Sequence, residues 1–304
     1  MRAKHWLLLI LLSILWGGTY VFAREALTEL PPLTVTFARC AIGAAVLLPV
    51  ALLLRYPVPA TGEAWRNFGV MALLNNVIPF GLTFWAQTMI PAGLASVMNA
   101  TTPLMTLLVA RFVAGEKMPK HKVAGLLLGL AGVAILIGPS ALTGDHGNAL
   151  GMLLVVGCAV SYGFSGLWGR RFNDTPPIVT AAAQLACATI VLLPMAAAAD
   201  QFWRLPLPPM NVLVALLALG TVSTALAYIL FFKVMAEAGS NNVMLVTLLI
   251  PISAVALGVW RFGERLSDNQ MAGAAIIAAS LLLIDGRVFG VSAVPQTGAR
   301  SQTG

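Results

Sequence analysis

Charged side chains are scarce in this sequence. Asp, Glu, Lys and Arg supply 10% of its 304 residues and hydrophobic types 59%, whereas a typical soluble domain is about 25% charged. So little charge cannot hold that much apolar side chain in water. A soluble globule is excluded, and the solvent that fits is a bilayer. Acidic residues and histidine are missing from the middle of every long apolar run; the histidines are His5, His121 and His146, all in tails or loops. That excludes a dedicated proton site at membrane depth, where proton-driven proteins place such a group. It also removes the paired carboxylates, metal-ligand clusters and buried bases that catalysis needs, and no phosphate loop is present. No enzyme activity, metal or cofactor is expected. Cysteine is rare too: Cys40, Cys158 and Cys187 all lie in apolar runs. An odd count without an extramembrane pair argues against a disulfide framework, and they read as small packing residues.

What the sequence does have is apolar length. A crossing helix takes about 20 residues, and ten runs are read as spans, at about 6–23, 33–54, 65–89, 92–113, 123–138, 148–169, 178–199, 210–235, 241–262 and 271–284. The expected fold is an all-α polytopic membrane protein. The first run follows Arg2 and Lys4 and has the look of a signal peptide, but it has a counterpart later in the chain, which a signal peptide would not. The links at 90–93 and 237–239 are short enough to demand tight antiparallel hairpins. The tail at 287–304 is rich in Gly, Ser, Thr and Gln and is expected to be disordered and cytoplasmic.

The runs repeat. Pro103, Gly115-Glu116 and Gly125 recur as Pro251, Gly263-Glu264 and Gly273, each shifted by 148 residues. Pro31-Pro32 and Pro49 recur as Pro176-Pro177 and Pro194 at a shift of 145, and Gly17, Arg24 and Ala92-Gly93 as Gly163, Arg170 and Ala238-Gly239 at 146. A register held across so many prolines and glycines implies duplication, with halves at 6–138 and 148–286. With the N-terminus inside, 13 of the 18 basic residues fall in cytoplasmic pieces and 4 in outer loops, Arg39 being the one within a span. That excess orients both termini toward the cytoplasm. It also accounts for the net charge of +7 without nucleic acid. Five spans per half is an odd number, so the second half is expected to be inverted, the architecture of alternating access.

Trp16-Gly17 in the first span, Arg39 in the second, Pro103 with Gly115-Glu116 and Pro251 with Gly263-Glu264 together resemble the EamA family of the drug/metabolite transporter superfamily, over about residues 6–285. The resemblance implies export or exchange of small metabolites, often amino acids, through a central cavity. It implies that spans one, three, four, six, eight and nine line that cavity and that five and ten pack at the side. Gln184 stands where symmetry would repeat Arg39, so the halves are not chemically equal.

Polar and aromatic groups at mid-depth are the candidate site, because facing lipid they would cost too much. Trp16 and Thr19 of span one match Tyr162 and Ser165 of span six. Each pair is three residues apart and so shares a helix face. Asn75, Asn76 and Phe80 in span three are answered by Ser223 and Tyr228 in span eight; Asn99 and Thr102 precede Pro103 as Asn242 precedes Pro251. The plainer reading of the hydroxyls is hydrogen bonding between helices. The amides can donate and accept, which suits an amino acid's carboxylate and ammonium. Pro103 and Pro251 are candidate hinges, since each removes a backbone bond. Arg39 either snorkels to the surface or pairs with a partner or a substrate carboxylate. The expected function is export of small metabolites, foremost neutral or aromatic amino acids, by a monomer in a bacterial inner membrane, facilitated or by exchange. The alternative is a lipophilic-cation exporter that uses Trp16, Tyr162 and Tyr228 as a cation–π box.

Overall fold

The computed structural model of the chain describes residues 3–142 and 144–286. The tail expected to be disordered lies outside them. The described residues form helices and turns, with no strand among them. The long helices are α1 (Ala3–Ala26), α2 (Pro32–Leu53), α3 (Gly62–Gln87), α4 (Ala92–Val113), α5 (Lys120–Leu142), α6 (His146–Gly169), α7 (Pro177–Asp200), α8 (Met210–Ala238), α9 (Val246–Phe262) and α10 (Asp268–Asp285). By length and composition α1 to α8 suffice to cross a membrane, and α9 is a shorter apolar helix preceded by the turn Ser240–Val243. The protein is a multi-pass membrane protein.

Local chemistry sets the helix ends. Pro32 and Pro177 open α2 and α7 at the first helical position, where the ring's fixed φ suits the helix and the missing N–H would be unpaired anyway. Asp145 caps α6, and Ser267 with Gln270 forms a capping box at α10. Gly115 and Gly263 follow α4 and α9 in the left-handed region, at φ 68° and 65°, a conformation glycine adopts without a steric penalty.

Packing repeats between the halves. Helix α1 lies on α9 as α6 lies on α4, α2 pairs with α7, and α5 with α10. Gly17 and Gly163 make the first two contacts possible. A Cβ on Gly17 would stand 2.3 Å from the Ser253 hydroxyl, and one on Gly163 would stand 3.1 Å from the Met105 carbonyl. The α5–α10 pair sits to one side and is equally tight, since a Cβ on Gly273 would meet the Gly132 carbonyl at 3.0 Å. Van der Waals contact between small residues is what holds helices together in lipid, where no hydrophobic force acts between them.

The proline positions are less alike than their spacing predicts. Helix α4 is broken at Ala100 and Thr101, just before Pro103. Pro251 instead lies inside the continuous helix α9, whose break falls earlier, at Met244 and Leu245.

Candidate functional site

A cavity of about 490 Å³ opens among α1 to α4 and α6 to α9; α5 and α10 contribute nothing to its lining. Helices α2 and α7 line it as well, through Arg39 and Gln184, which the six-helix expectation left out. At one end its rim includes Phe172, Pro177 and Met244, the latter two exposed. Past Tyr20, Thr83 and Ser96 at the other end, Ala23, Gln87 and Ala92 are buried, and the Gln87 amide donates to the Tyr20 carbonyl at 2.8 Å.

Two π turns shape the walls. Helix α3 loosens at Leu73–Val77 and α8 at Thr221–Leu226, starting points again 148 residues apart. A π turn adds a residue to the helical turn, breaks the regular hydrogen-bond ladder and is common at functional sites. Each of these turns carries polar residues in the middle of its helix. Asn75 and Asn76 lie in the first; Ser223 and Thr224 lie in the second, where the Thr224 hydroxyl donates to the carbonyl of Leu219 five residues back, at 2.8 Å.

Arg39 is the one charged residue in the lining, and it is 6% exposed. Its guanidinium lies 3.7 Å from the centroid of the Phe80 ring and 5.7 Å from that of Phe84. Its Nε donates to the Thr224 hydroxyl at 3.0 Å. Among the described residues no carboxylate pairs with it; the ion pairs lie toward the two ends of the molecule. Snorkelling is thus ruled out by burial. A guanidinium offers five N–H donors, and a buried charge without a counter-charge is costly.

Asn75 ties four helices together. Its amide donates to Gln184 Oε1 on α7 at 3.3 Å and lies 3.5 Å from the Tyr228 hydroxyl on α8, and its oxygen accepts from Ser165 on α6 at 3.2 Å. Asn99 accepts from Thr102 at 3.4 Å and from the Cys158 thiol at 3.5 Å. Trp16 and Phe231 pack with ring centroids 5.3 Å apart, and Tyr228 stacks on Phe232 at 6.0 Å. The hydroxyls of Thr19, Ser96, Thr180 and Ser223, all in lining residues, have no hydrogen-bond partner among the described residues. Buried polar atoms seldom stay unpaired; these hydroxyls are enclosed, and a turn of the side chain is needed to bring them to an occupant of the cavity.

Ten of the twelve expected lining residues are in the cavity wall: Trp16, Thr19, Asn75, Phe80, Asn99, Thr102, Tyr162, Ser165, Ser223 and Tyr228. Asn76 and Asn242 are not. Asn76 is fully buried among the helices, and the Asn242 amide donates to the Ala238 carbonyl at 2.7 Å. Pro251 reaches the cavity and Pro103 does not. Sequence reasoning passed over Tyr20, Thr83, Ser96, Thr180 and Gln184 as lining groups. Gln184 carried a usable signal, because it replaces Arg39 in the repeat.

A sequence model described as the EamA-like transporter family matches the chain twice, over residues 4–138 and 149–285. The chain belongs to this family. As an EamA-like transporter it is 30% identical over 289 residues to the uncharacterized transporter YvbV of Bacillus subtilis, covering 93% of this chain and 92% of that one. It is 28% identical over 306 residues to a probable amino-acid metabolite efflux pump of Salmonella typhimurium, covering 95% and 96%. A solved crystal structure with 22% sequence identity has the same fold at a TM-score of 0.63, covering 93% of this chain and 98% of that one.

Proposed function

We propose that this EamA-like transporter exports neutral or aromatic amino acids across a bacterial inner membrane, by alternating access and without proton coupling. In this reading all ten long helices cross the bilayer, the two halves are inverted, and both termini are cytoplasmic, which the excess of basic residues in the inner loops supports. The chain works as a monomer.

The observation that carries the substrate class is Arg39, a buried cation on the cavity wall with no acidic partner among the described residues. A substrate carboxylate supplies the missing counter-charge, and the planar guanidinium suits bidentate binding. The amides of Asn75, Asn99 and Gln184 and the unpaired hydroxyls accept an ammonium, while Trp16, Tyr162 and Phe231 flank an apolar or aromatic side chain. The same charge disfavours lipophilic cations, which would meet Arg39 with no carboxylate to offset it. The efflux pump similar to this chain adds support at the level of its name. With no Asp, Glu or His in the lining, the cavity holds no group suited to carry a proton on each cycle.

Counterflow in proteoliposomes tests the reading. Preloading with unlabelled neutral or aromatic amino acids is expected to drive transient accumulation of the labelled compound, with saturation and with no acidification of a trapped pH dye. Counterflow driven by lipophilic cations and not by amino acids would refute the substrate class; flux without saturation or counterflow would refute a carrier.

A further inference from the structure

The loops after α4 and α9 share one backbone. Each starts at its left-handed glycine, and the next N–H turns back onto the helix, Glu116 to the Ala110 carbonyl at 3.1 Å and Glu264 to the Gly258 carbonyl at 3.4 Å. The two carboxylates nevertheless stand differently. Glu264 is 8% exposed. Its two oxygens accept the N–H groups of Ala92 and Gly93, both at 2.9 Å, which are the first two of α4. Arg24, in the last turn of α1, lies 3.2 Å away. One carboxylate thereby pins α1, α4 and α9 together at one end, helped by the positive end of the α4 dipole. Glu116 meets Arg170, the counterpart of Arg24, at 2.5 Å, but remains 44% exposed. In the other half the residues that open the helical turn before α9, the place Ala92 and Gly93 hold at the start of α4, are Ser240 and Asn241. The cavity follows the same division: its exposed rim is at the Glu116 end, beside Arg170, and it is closed toward Glu264.

We propose that Glu264 and Glu116 are reciprocal latches, one seated on a helix start while the other is released, and that this structure is the state with Glu264 seated. The proposal rests on the alternating-access reading above. In the opposite state Glu116 caps the N–H groups of Ser240 and Asn241 and closes the cytoplasmic end, while Glu264 leaves α4 and opens the outer end.

Small residues set the balance between the latches. A Cβ on Gly258 would stand 2.6 Å from a Glu264 carboxylate oxygen, so glycine there clears the seat. The equivalent residue near Glu116 is Ala110, 148 residues earlier. Its methyl keeps Glu116 from seating as deeply. The outer latch is the stronger one, and the inward-open state is the resting state.

The test uses a reporter cysteine at Thr19 on the cavity wall, with Cys40, Cys158 and Cys187 replaced by Ala, in sealed vesicles of both orientations labelled with a membrane-impermeant maleimide. Glu264→Gln is expected to raise outer-side relative to inner-side labelling about tenfold, the loss of a charge-assisted hydrogen bond. Gly258→Ala and Ala110→Gly are expected to shift the ratio the same way with no change of charge, which keeps the test informative if Glu264→Gln folds poorly. Glu116→Gln is expected to shift it the opposite way. Shifts of the same sign for both glutamate variants, or an unchanged ratio in Gly258→Ala and Ala110→Gly, would overturn the latches and leave the carrier reading standing. A reporter in the unaltered-latch protein labelled from both sides at once, with no response to bound amino acid, would instead remove alternating access itself.

Discussion

Helices α3 and α8 loosen into π turns at the same point of each half, yet they carry different chemistry there. Helix α3 brings the carboxamides of Asn75 and Asn76, α8 the hydroxyls of Ser223 and Thr224. The same contrast separates α2 from α7, which pair with each other and carry Arg39 and Gln184. At these two points the backbone device is shared between the halves and the side chains are not. In the proposed reading the repeated backbone gives the protein two related packings, which a carrier needs in order to open to either side. In the same reading the divergent side chains give it one binding site with a direction: a cation and an amide from the first half, amide and hydroxyl groups from the second. A symmetric site would bind a symmetric solute, whereas this one suits a molecule with a carboxylate at one end.

The sharpest way to break the contrast is to erase it. Arg39→Gln makes α2 match α7 at this position, and kcat/KM for a carboxylate-bearing substrate is expected to fall at least thirtyfold, following the roughly 2–5 kcal/mol lost when one partner of a buried charge pair is truncated. Uptake assays with a parallel thermal-stability check separate lost binding from lost fold. A smaller effect is expected on the amide side. Asn75→Ala or Asn99→Ala removes about one hydrogen bond to the substrate, and KM is expected to rise about three- to tenfold. Asn76→Ala is expected to lower the melting temperature and leave KM within about twofold, because Asn76 is buried and does not line the cavity. Thr224→Val removes the hydroxyl that accepts from Arg39; about fivefold weaker uptake is expected, the value of about 1 kcal/mol. Least of all should transport respond at the side pair. Gly273→Ala places a methyl 2.5 Å from Leu136, and about 1–3 kcal/mol of stability should be lost with KM unchanged, as read by thermal unfolding beside uptake.

Much of the fold was readable because hydropathy and punctuation agree. Pro31-Pro32, Pro176-Pro177 and the Gly-Glu turns mark helix ends that the structure places within a few residues. The repeat located Gly17 and Gly163 before their shared packing role was visible. The cavity was partly readable: spacing three apart put Trp16 with Thr19 and Tyr162 with Ser165 on common faces, and all four line the wall. The failures have physical reasons. Asn75 and Asn76 are neighbours, and successive residues on a helix point about 100° apart, so only one of them faces the cavity. Asn242 lies in the turn before α9, where its amide donates to the Ala238 carbonyl. The π turns leave no trace in hydropathy, since one extra residue per turn changes no residue type. That no carboxylate among the described residues pairs with Arg39 depends on what α7, α8 and the rest of the wall bring near it, which spacing along one chain does not report. Gln184 was noticed as a break in symmetry, and its place in the wall follows from α2 pairing with α7.

Arg39 is the proposed anchor for a substrate carboxylate. The most direct measurement is competition for uptake in proteoliposomes by an aromatic amino acid against the amine formed by removing its carboxylate, in the unaltered protein and in Arg39→Gln. The unaltered protein is predicted to prefer the amino acid by at least about tenfold, the value of 1.4 kcal/mol, and Arg39→Gln to lose that preference. Equal competition by the two compounds in the unaltered protein, or a preference that survives Arg39→Gln, would contradict it.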